Sequence, residues 1–191
     1  LKEEDFYTGY RNITPHSVDL ITADPNFGIL KTVTWDSPLD WGMTERVMAE
    51  LLSHSGQVII FCNFKLMLEL MRVFGAYLEF RHFHIWQKSS AMCSSALSPV
   101  PNGEFILVFK SKGVKPSNLV FNPKATLQLG KPYSKQNHNR DVSIRQEKKP
   151  EIDINVTGER HIKQVIQAPS KPNMLKAERT SHPTQKPLVL M

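Results

Sequence analysis

Two short stretches of this 191-residue chain carry groups able to do chemistry. The first, Asp24-Pro25-Asn26-Phe27-Gly28, sets a carboxylate, a proline-held carbonyl and an aromatic ring in near succession. An exocyclic amine on an aromatic ring has its lone pair delocalised into that ring, and turning it toward an electrophile needs acceptors aimed at the amino hydrogens. The Asp24 carboxylate and the Pro25 carbonyl supply two acceptors, and Phe27 supplies a face on which a planar ring can stack. Taken alone the stretch is weak, because Asp-Pro and Asn-x-Gly turns are common at strand ends. The second stretch lies far downstream: Ser181-His182-Pro183-Thr184-Gln185-Lys186-Pro187-Leu188.

The elements around the first stretch give it a place. Val18 to Ala23 is a short apolar run ended by Asp24-Pro25, where proline lacks an amide, so it reads as a buried strand that delivers Asp24 to its carboxyl end. Met43, Val47, Met48, Leu51 and Leu52 recur at helical spacing over 43–53, Ser55-Gly56 breaks the pattern, and Gln57 to Phe61 is a second buried strand. Residues 64–74 read as a helix with Leu66, Leu70, Val73 and Phe74 on one side; Glu79 to Trp86 and Glu104 to Phe109 read as two further strands. Strands alternating with helices predict an α/β fold with a largely parallel, doubly wound sheet, whose ligands bind beyond the carboxyl ends of the strands.

Composition narrows the class. The chain is 40% hydrophobic and 22% charged, ordinary for a globular domain, and holds no run of about 18 apolar residues. The N-terminal Leu1-Lys2-Glu3-Glu4-Asp5 lacks the basic-then-apolar order of a secretory signal, so an intracellular, cytoplasmic protein with no membrane association is expected. Cys62 and Cys93 stand alone and suit a reducing compartment. Charge is uneven. Residues 1–112 hold 10 Lys and Arg against 12 Asp and Glu, whereas 113–191 hold 14 against 6. A basic segment on a neutral body fits a polyanion such as double-stranded DNA, although a solvated basic face has the same letters. Residues 114–180 are rich in Lys, Pro, Asn, Ser and Gln, with apolar runs too short for a core of their own. No internal repeat or low-complexity tract is present.

The text between these points resembles one family. Thr14 through Pro25 looks like the approach to the catalytic Asp-Pro-Pro-Tyr motif of the DNA amino-methyltransferases, in the permuted class that places this motif upstream of its cofactor loop. Trp35-Asp36 follows at a familiar interval, Ile85-Trp86-Gln87-Lys88 resembles the family's Trp-x-Lys strand end, Glu104 to Phe109 its next strand, and Ser181 to Leu188 its cofactor-side motif. The resemblance covers about residues 8–112 and 180–191 and leaves the basic middle unmatched, where this family places its target-recognition region.

The resemblance implies a Rossmann-like, S-adenosylmethionine-dependent fold in three parts: a catalytic core over 1–112, a recognition insertion over 113–180, and the start of the cofactor side over 181–191. Its implied catalytic positions are Asp24, Pro25, Asn26 and Phe27. Cofactor contacts are implied at Asp24, Pro25, His182, Thr184, Gln185 and Lys186, the last facing the methionyl carboxylate or opening a helix. DNA contacts are expected at Lys88, Arg140, Arg145, Lys148 and Lys149, with Ser89, Ser90, Tyr133 and His138 as weaker candidates. No metal is expected, since the sulfonium carries the reactivity, and His82 and His84 read as structural histidines. With Asp rather than Ser in the first motif position, the chain resembles the adenine-N6 members more than the cytosine-N4 ones, so adenine N6 is the expected target. Ring-carbon methylation, which needs a cysteine after proline, is disfavoured because Cys62 follows Phe61 and Cys93 follows Met92.

Two departures stand out. Asn26 replaces the usual second proline and loosens the turn that aims the Pro25 carbonyl, and Phe27 replaces tyrosine, keeping the ring without its hydroxyl. Family members also continue past the cofactor-side motif into a Phe-x-Gly-x-Gly loop, which the sequence through Met191 does not reach. A fragment truncated before that loop, an enzyme completed by a partner, and a silent DNA-binding homologue are the three expectations that follow. A homodimer, a companion restriction enzyme, and RNA or protein-glutamine methylation are further alternatives.

Overall fold

A computed structural model describes residues 4–27, 39–91, 96–97, 99–120, 128–137, 151–170, 174–179, 185–187 and 190. They fall into two compact units, one formed by 1–120 with 164–191 and the other by 121–163.

The first unit is built on a five-stranded sheet. Its strands are β1 (Val18–Ala23), β2 (Leu52–Cys62), β3 (Leu78–Lys88) and β4 (Gly103–Ser111), with an edge strand from Val165–Ala168; the spatial order is β1-β2-β4-β3-edge. β1 runs parallel to β2, and β3 parallel to the edge strand, while β4 is antiparallel to both its neighbours. Four strands therefore share one direction and β4 alone is reversed. The expected largely parallel sheet is present, with an exception where the chain departs from helix-strand alternation: no helix occurs among the described residues of 89–102, so β3 and β4 pair as antiparallel neighbours.

Among the described residues three α-helices accompany the sheet: α1 (Phe6–Gly9), α2 (Trp41–Leu51) and α3 (Phe64–Val73). Asp40 caps α2 by accepting from the Met43 amide at 3.0 Å, and Asn63 caps α3 by accepting from Leu66 at 2.8 Å. The buried face of α2 is formed by Trp41, Thr44, Glu45, Val47, Met48 and Leu51; Met43, part of the apolar pattern, points outward. Leu66 and Leu70 from α3, with Phe74 just past its end, join this face, and together they cover Val58, Ile60, Cys62, Leu107 and Phe109 on one side of the sheet. The opposite side carries a smaller cluster of Phe61, Trp86, Ile106 and Ala168.

The predicted break at Ser55-Gly56 appears as a slip in pairing. Val18 faces Leu52, but Leu20 already faces Gln57. A Cβ at Gly56 would lie 2.8 Å from the Val18 carbonyl oxygen and 2.7 Å from Leu52 Cδ1, so close backbone approach is what selects glycine.

The second unit, taken by itself, holds two antiparallel ribbons: β5 (Gln128–Leu129) with β8 (Glu159–Arg160), and β6 (Tyr133–Asn137) with β7 (Glu151–Asn155). The edge strand Val165–Ala168, which follows in the chain, is β9. Arg160 stacks over the Tyr133 ring at 4.8 Å and donates to the Lys131 carbonyl at 2.8 Å. Among the described residues no helix is long and apolar enough to cross a membrane.

Two buried or half-buried groups make testable demands on the fold. Glu45, 2% exposed, takes three amides on one oxygen: Gly75 at 2.8 Å, Tyr77 at 3.0 Å and Leu78 at 2.9 Å. A single carboxylate thus ties α2 to the turn before β3. Glu45→Ala orphans these donors and is expected to cost about 3 kcal/mol in urea unfolding, with Glu45→Gln losing much less. His82 is held below the usual imidazole range by burial first, then by the adjacent His84 and Arg81. Its proton is therefore bound more readily by the unfolded chain, so stability falls as pH drops below about 6.5. Between pH 7.5 and 5.5, His82→Gln should lose less stability than the unsubstituted chain.

Candidate active site

Asp24, Pro25, Asn26 and Phe27 follow directly on β1, at its carboxyl end. β2 ends beside them with Phe61 and Cys62, and β3 ends with Trp86, Gln87 and Lys88. Because β4 is reversed, its first residues reach this rim: Phe105 pairs with Cys62, and Glu104 pairs with Trp86. A parallel β4 would have carried Glu104 to the far end of the sheet.

Lys186 lies at the centre of this rim. Its side chain is 6% exposed, and its ammonium sits 2.9 Å from Asp24 Oδ1 and 3.4 Å from Glu104 Oε2. Three aromatic rings surround the charge, Phe27 at 5.5 Å, Phe61 at 5.7 Å and Trp86 at 5.8 Å. Pro187, next in the chain, is fully buried and anchors the backbone there. Glu104, 13% exposed, meets a second cation on its other oxygen, where Lys88 Nζ approaches Oε1 at 2.5 Å. Lys88 also lies 5.2 Å from the Trp86 ring, whose indole donates to the Ala168 carbonyl at 3.0 Å. Charges alternate along the row Asp24, Lys186, Glu104, Lys88. The row ends at an open cleft of about 560 Å³ whose lining includes Gln87, Lys88, Ser89, Asn102 and Gln167.

The environment also shapes Cys62. Burial, and then the charge of Glu104, push its thiol up to about 12. No nucleophilic thiolate is available there. Among the described residues no group of three or more His, Cys, Asp or Glu side chains is placed to hold a metal; His82 and His84 meet edge to face at 5.2 Å.

Of the positions singled out in sequence, Asp24, Phe27 and Lys186 come together, with Pro25 and Asn26 between the first two. Lys88 joins them through Glu104. Gln185 precedes Lys186, while His182, Thr184, Arg140, Arg145, Lys148, Lys149, His138 and Trp35-Asp36 lie outside the described residues. Tyr133 packs on Arg160 in the second unit, and Ser90 shares a 2.7 Å hydrogen bond with Ser170. Sequence reasoning passed over Glu104 and the aromatic faces of Phe61 and Trp86. The signal for Glu104 was present, as a carboxylate heading the apolar run Phe105 to Phe109 must find a cation when the strand is buried.

A family model described as DNA methylase, of the N6 and N4 methyltransferases, matches residues 18–191. The chain belongs to this family. No curated protein matches it. Among solved structures, the M1.HpyAVI–SAM complex superposes with a TM-score of 0.54 at 19% identity, covering 99% of this chain and 72% of that one. PvuII DNA methyltransferase, described as cytosine-N4-specific, gives 0.53 at 12% identity, covering 95% and 63%. A second M1.HpyAVI structure gives 0.41 at 23% identity, covering 61% of this chain and 56% of that one. This methylase chain thus spans between about half and three quarters of the length of these structures. At such identities the likeness carries the fold, the Rossmann-like α/β architecture of these methyltransferases.

Burial and a thiol pushed up to about 12 leave Cys62 almost wholly protonated at pH 8. Iodoacetamide at that pH should therefore leave the Cys62 peptide unlabelled in the folded methylase and label it after unfolding in urea, as read by mass spectrometry.

Proposed function

We propose that this chain carries the amine site of an S-adenosylmethionine-dependent DNA methyltransferase, with the N6 amino group of adenine as its target. The observation that carries the reading is the carboxylate of Asp24 at the end of β1, about one third exposed, held by a buried ammonium and followed within three residues by the Phe27 ring. Asp24 and the Pro25 carbonyl accept the two amino hydrogens and draw the nitrogen lone pair out of conjugation, while Phe27 stacks on the flipped base. Adenine is favoured over cytosine by the Asp in first position; cytosine N4 is the alternative within the same chemistry.

The residues present fit a cationic methyl donor. Carboxylates and aromatic faces already stabilise one buried cation at this rim, and the same chemistry suits a sulfonium. When bound, S-adenosylmethionine supplies the electrophilic methyl group. The motif around Lys186, with His182, Thr184 and Gln185, is proposed to face the cofactor, and Asp24 with Pro25 to separate it from the base. No metal ion or protein nucleophile has a part in this scheme.

DNA is proposed to be gripped by a basic stretch of the chain. The stretch 121–163 carries 9 Lys and Arg against 5 Asp and Glu, among them Arg140, Arg145, Lys148 and Lys149, and it forms the body of the recognition insertion proposed for 113–180. Lys88 gives the polar cleft a cation at its inner end. A second reading, a silent DNA-binding homologue, draws on Asn26, which leaves the Pro25 turn less rigid than a second proline would.

Incubation with S-adenosylmethionine and unmethylated bacterial genomic DNA, followed by digestion to nucleosides and mass spectrometry, should yield N6-methyladenine. N4-methylcytosine would reassign the base, and neither product would favour the silent binder. Asp24→Ala should abolish transfer while DNA affinity, measured by fluorescence anisotropy, changes less than about twofold.

A further inference from the structure

Asp24 cannot turn its whole carboxylate to an incoming amine while Oδ1 is paired with the Lys186 ammonium. The ammonium is only 2.9 Å from Oδ1, and its burial among three rings bars it from water. A buried cation stripped of its anion is strongly unfavourable, so the ammonium can yield Asp24 only to another carboxylate. Glu104 is that carboxylate. Its Oε2 is buried and lies 3.4 Å from the ammonium, within ion-pair range, yet has no hydrogen-bond partner among the described residues. Its Oε1 is engaged by Lys88 at 2.5 Å, which holds the carboxylate with Oε2 turned toward Lys186. A slight displacement of the ammonium within the same box would exchange the Asp24 contact for the Glu104 contact.

Taking Asp24 as the acceptor of the target amine, we infer that Glu104 is a positioning residue, a second seat that receives the Lys186 ammonium as the amine engages Asp24. Glu104 touches neither base nor methyl donor in this scheme and acts through Lys186. Lys88 keeps the seat oriented.

Two arms test the inference. In methyl transfer to unmethylated genomic DNA, Glu104→Gln keeps the shape but removes the anion; kcat should fall about tenfold while KM for DNA stays within about twofold. Glu104→Asp restores an anion to the seat and should raise kcat about threefold over Glu104→Gln. A purely structural Glu104 predicts no recovery tied to the charge, and a Glu104→Asp variant no faster than Glu104→Gln overturns the inference. The second arm needs no catalysis: in the chain labelled with 15N-lysine, the Lys186 ammonium resonance should move on titration with 2′-deoxyadenosine 5′-monophosphate, and should not move in Glu104→Gln. A resonance that stays fixed in the unsubstituted chain, or moves equally in both, also overturns it. If the unsubstituted chain transfers no methyl group, the enzyme reading fails and takes the inference with it; a Lys186 resonance that stays fixed in a chain that does transfer overturns the inference alone.

Discussion

One buried positive charge organises the rim of this protein. Lys186 is nearly sealed from solvent, so its ammonium must be matched by anions brought from elsewhere in the chain, and Asp24 and Glu104 arrive from the ends of two different strands. Each is placed by backbone pairing: Asp24 follows directly on a strand whose last residues, Thr22 and Ala23, pair with Ile59 and Ile60, and Glu104 is itself paired with Trp86. Rings from Phe27, Phe61 and Trp86 then close around the charge. Removing water strengthens every attraction in such a place and makes any unmatched charge expensive. The ion pairs, the aromatic walls and the reversed strand are therefore parts of one arrangement.

Much of the main unit was legible in the letters because its signals are periodic and local. Val18 to Ala23 forms the strand read for it, but as a half-exposed edge strand rather than a buried one, because only β2 pairs with it; α3, with Phe74 just past its end, buries the Leu66, Leu70 and Phe74 face that its spacing marks. Boundaries were less readable. Helix α2 begins at Trp41, where Asp40 caps it, and β2 starts at Leu52 without a connecting loop, since strand pairing with β1 competes with the Ser55-Gly56 break and turns it into a slip of register. Strand direction depends on partners far away in sequence, so no local pattern announces that β4 runs backward. The short ribbons of 128–160 are held by contacts such as Asn155 with the Gly158 amide at 2.7 Å, and leave almost no apolar trace.

The site divides in the same way. Asp24, Phe27 and Lys186 were visible because their neighbours form motifs, and motifs are read by adjacency. Glu104 was not, because its importance is relational: it depends on a cation 82 residues downstream and on another, Lys88, that the antiparallel ladder sets against the same strand. A charged residue within an apolar strand states that a partner exists without naming it.

The chain leaves the main unit after Val120 and rejoins it at Gln164, where β9 adds to the edge of β3. Both points of departure and return are fixed by the body of the protein, and the parallel β3–β9 pairing requires a long crossover whatever its content. The stretch between is thus a cassette with anchored ends. Its length and wording can drift, or be replaced wholesale, with the sheet and its charged rim left in register. Changes confined to this stretch would cost the folding of the body little.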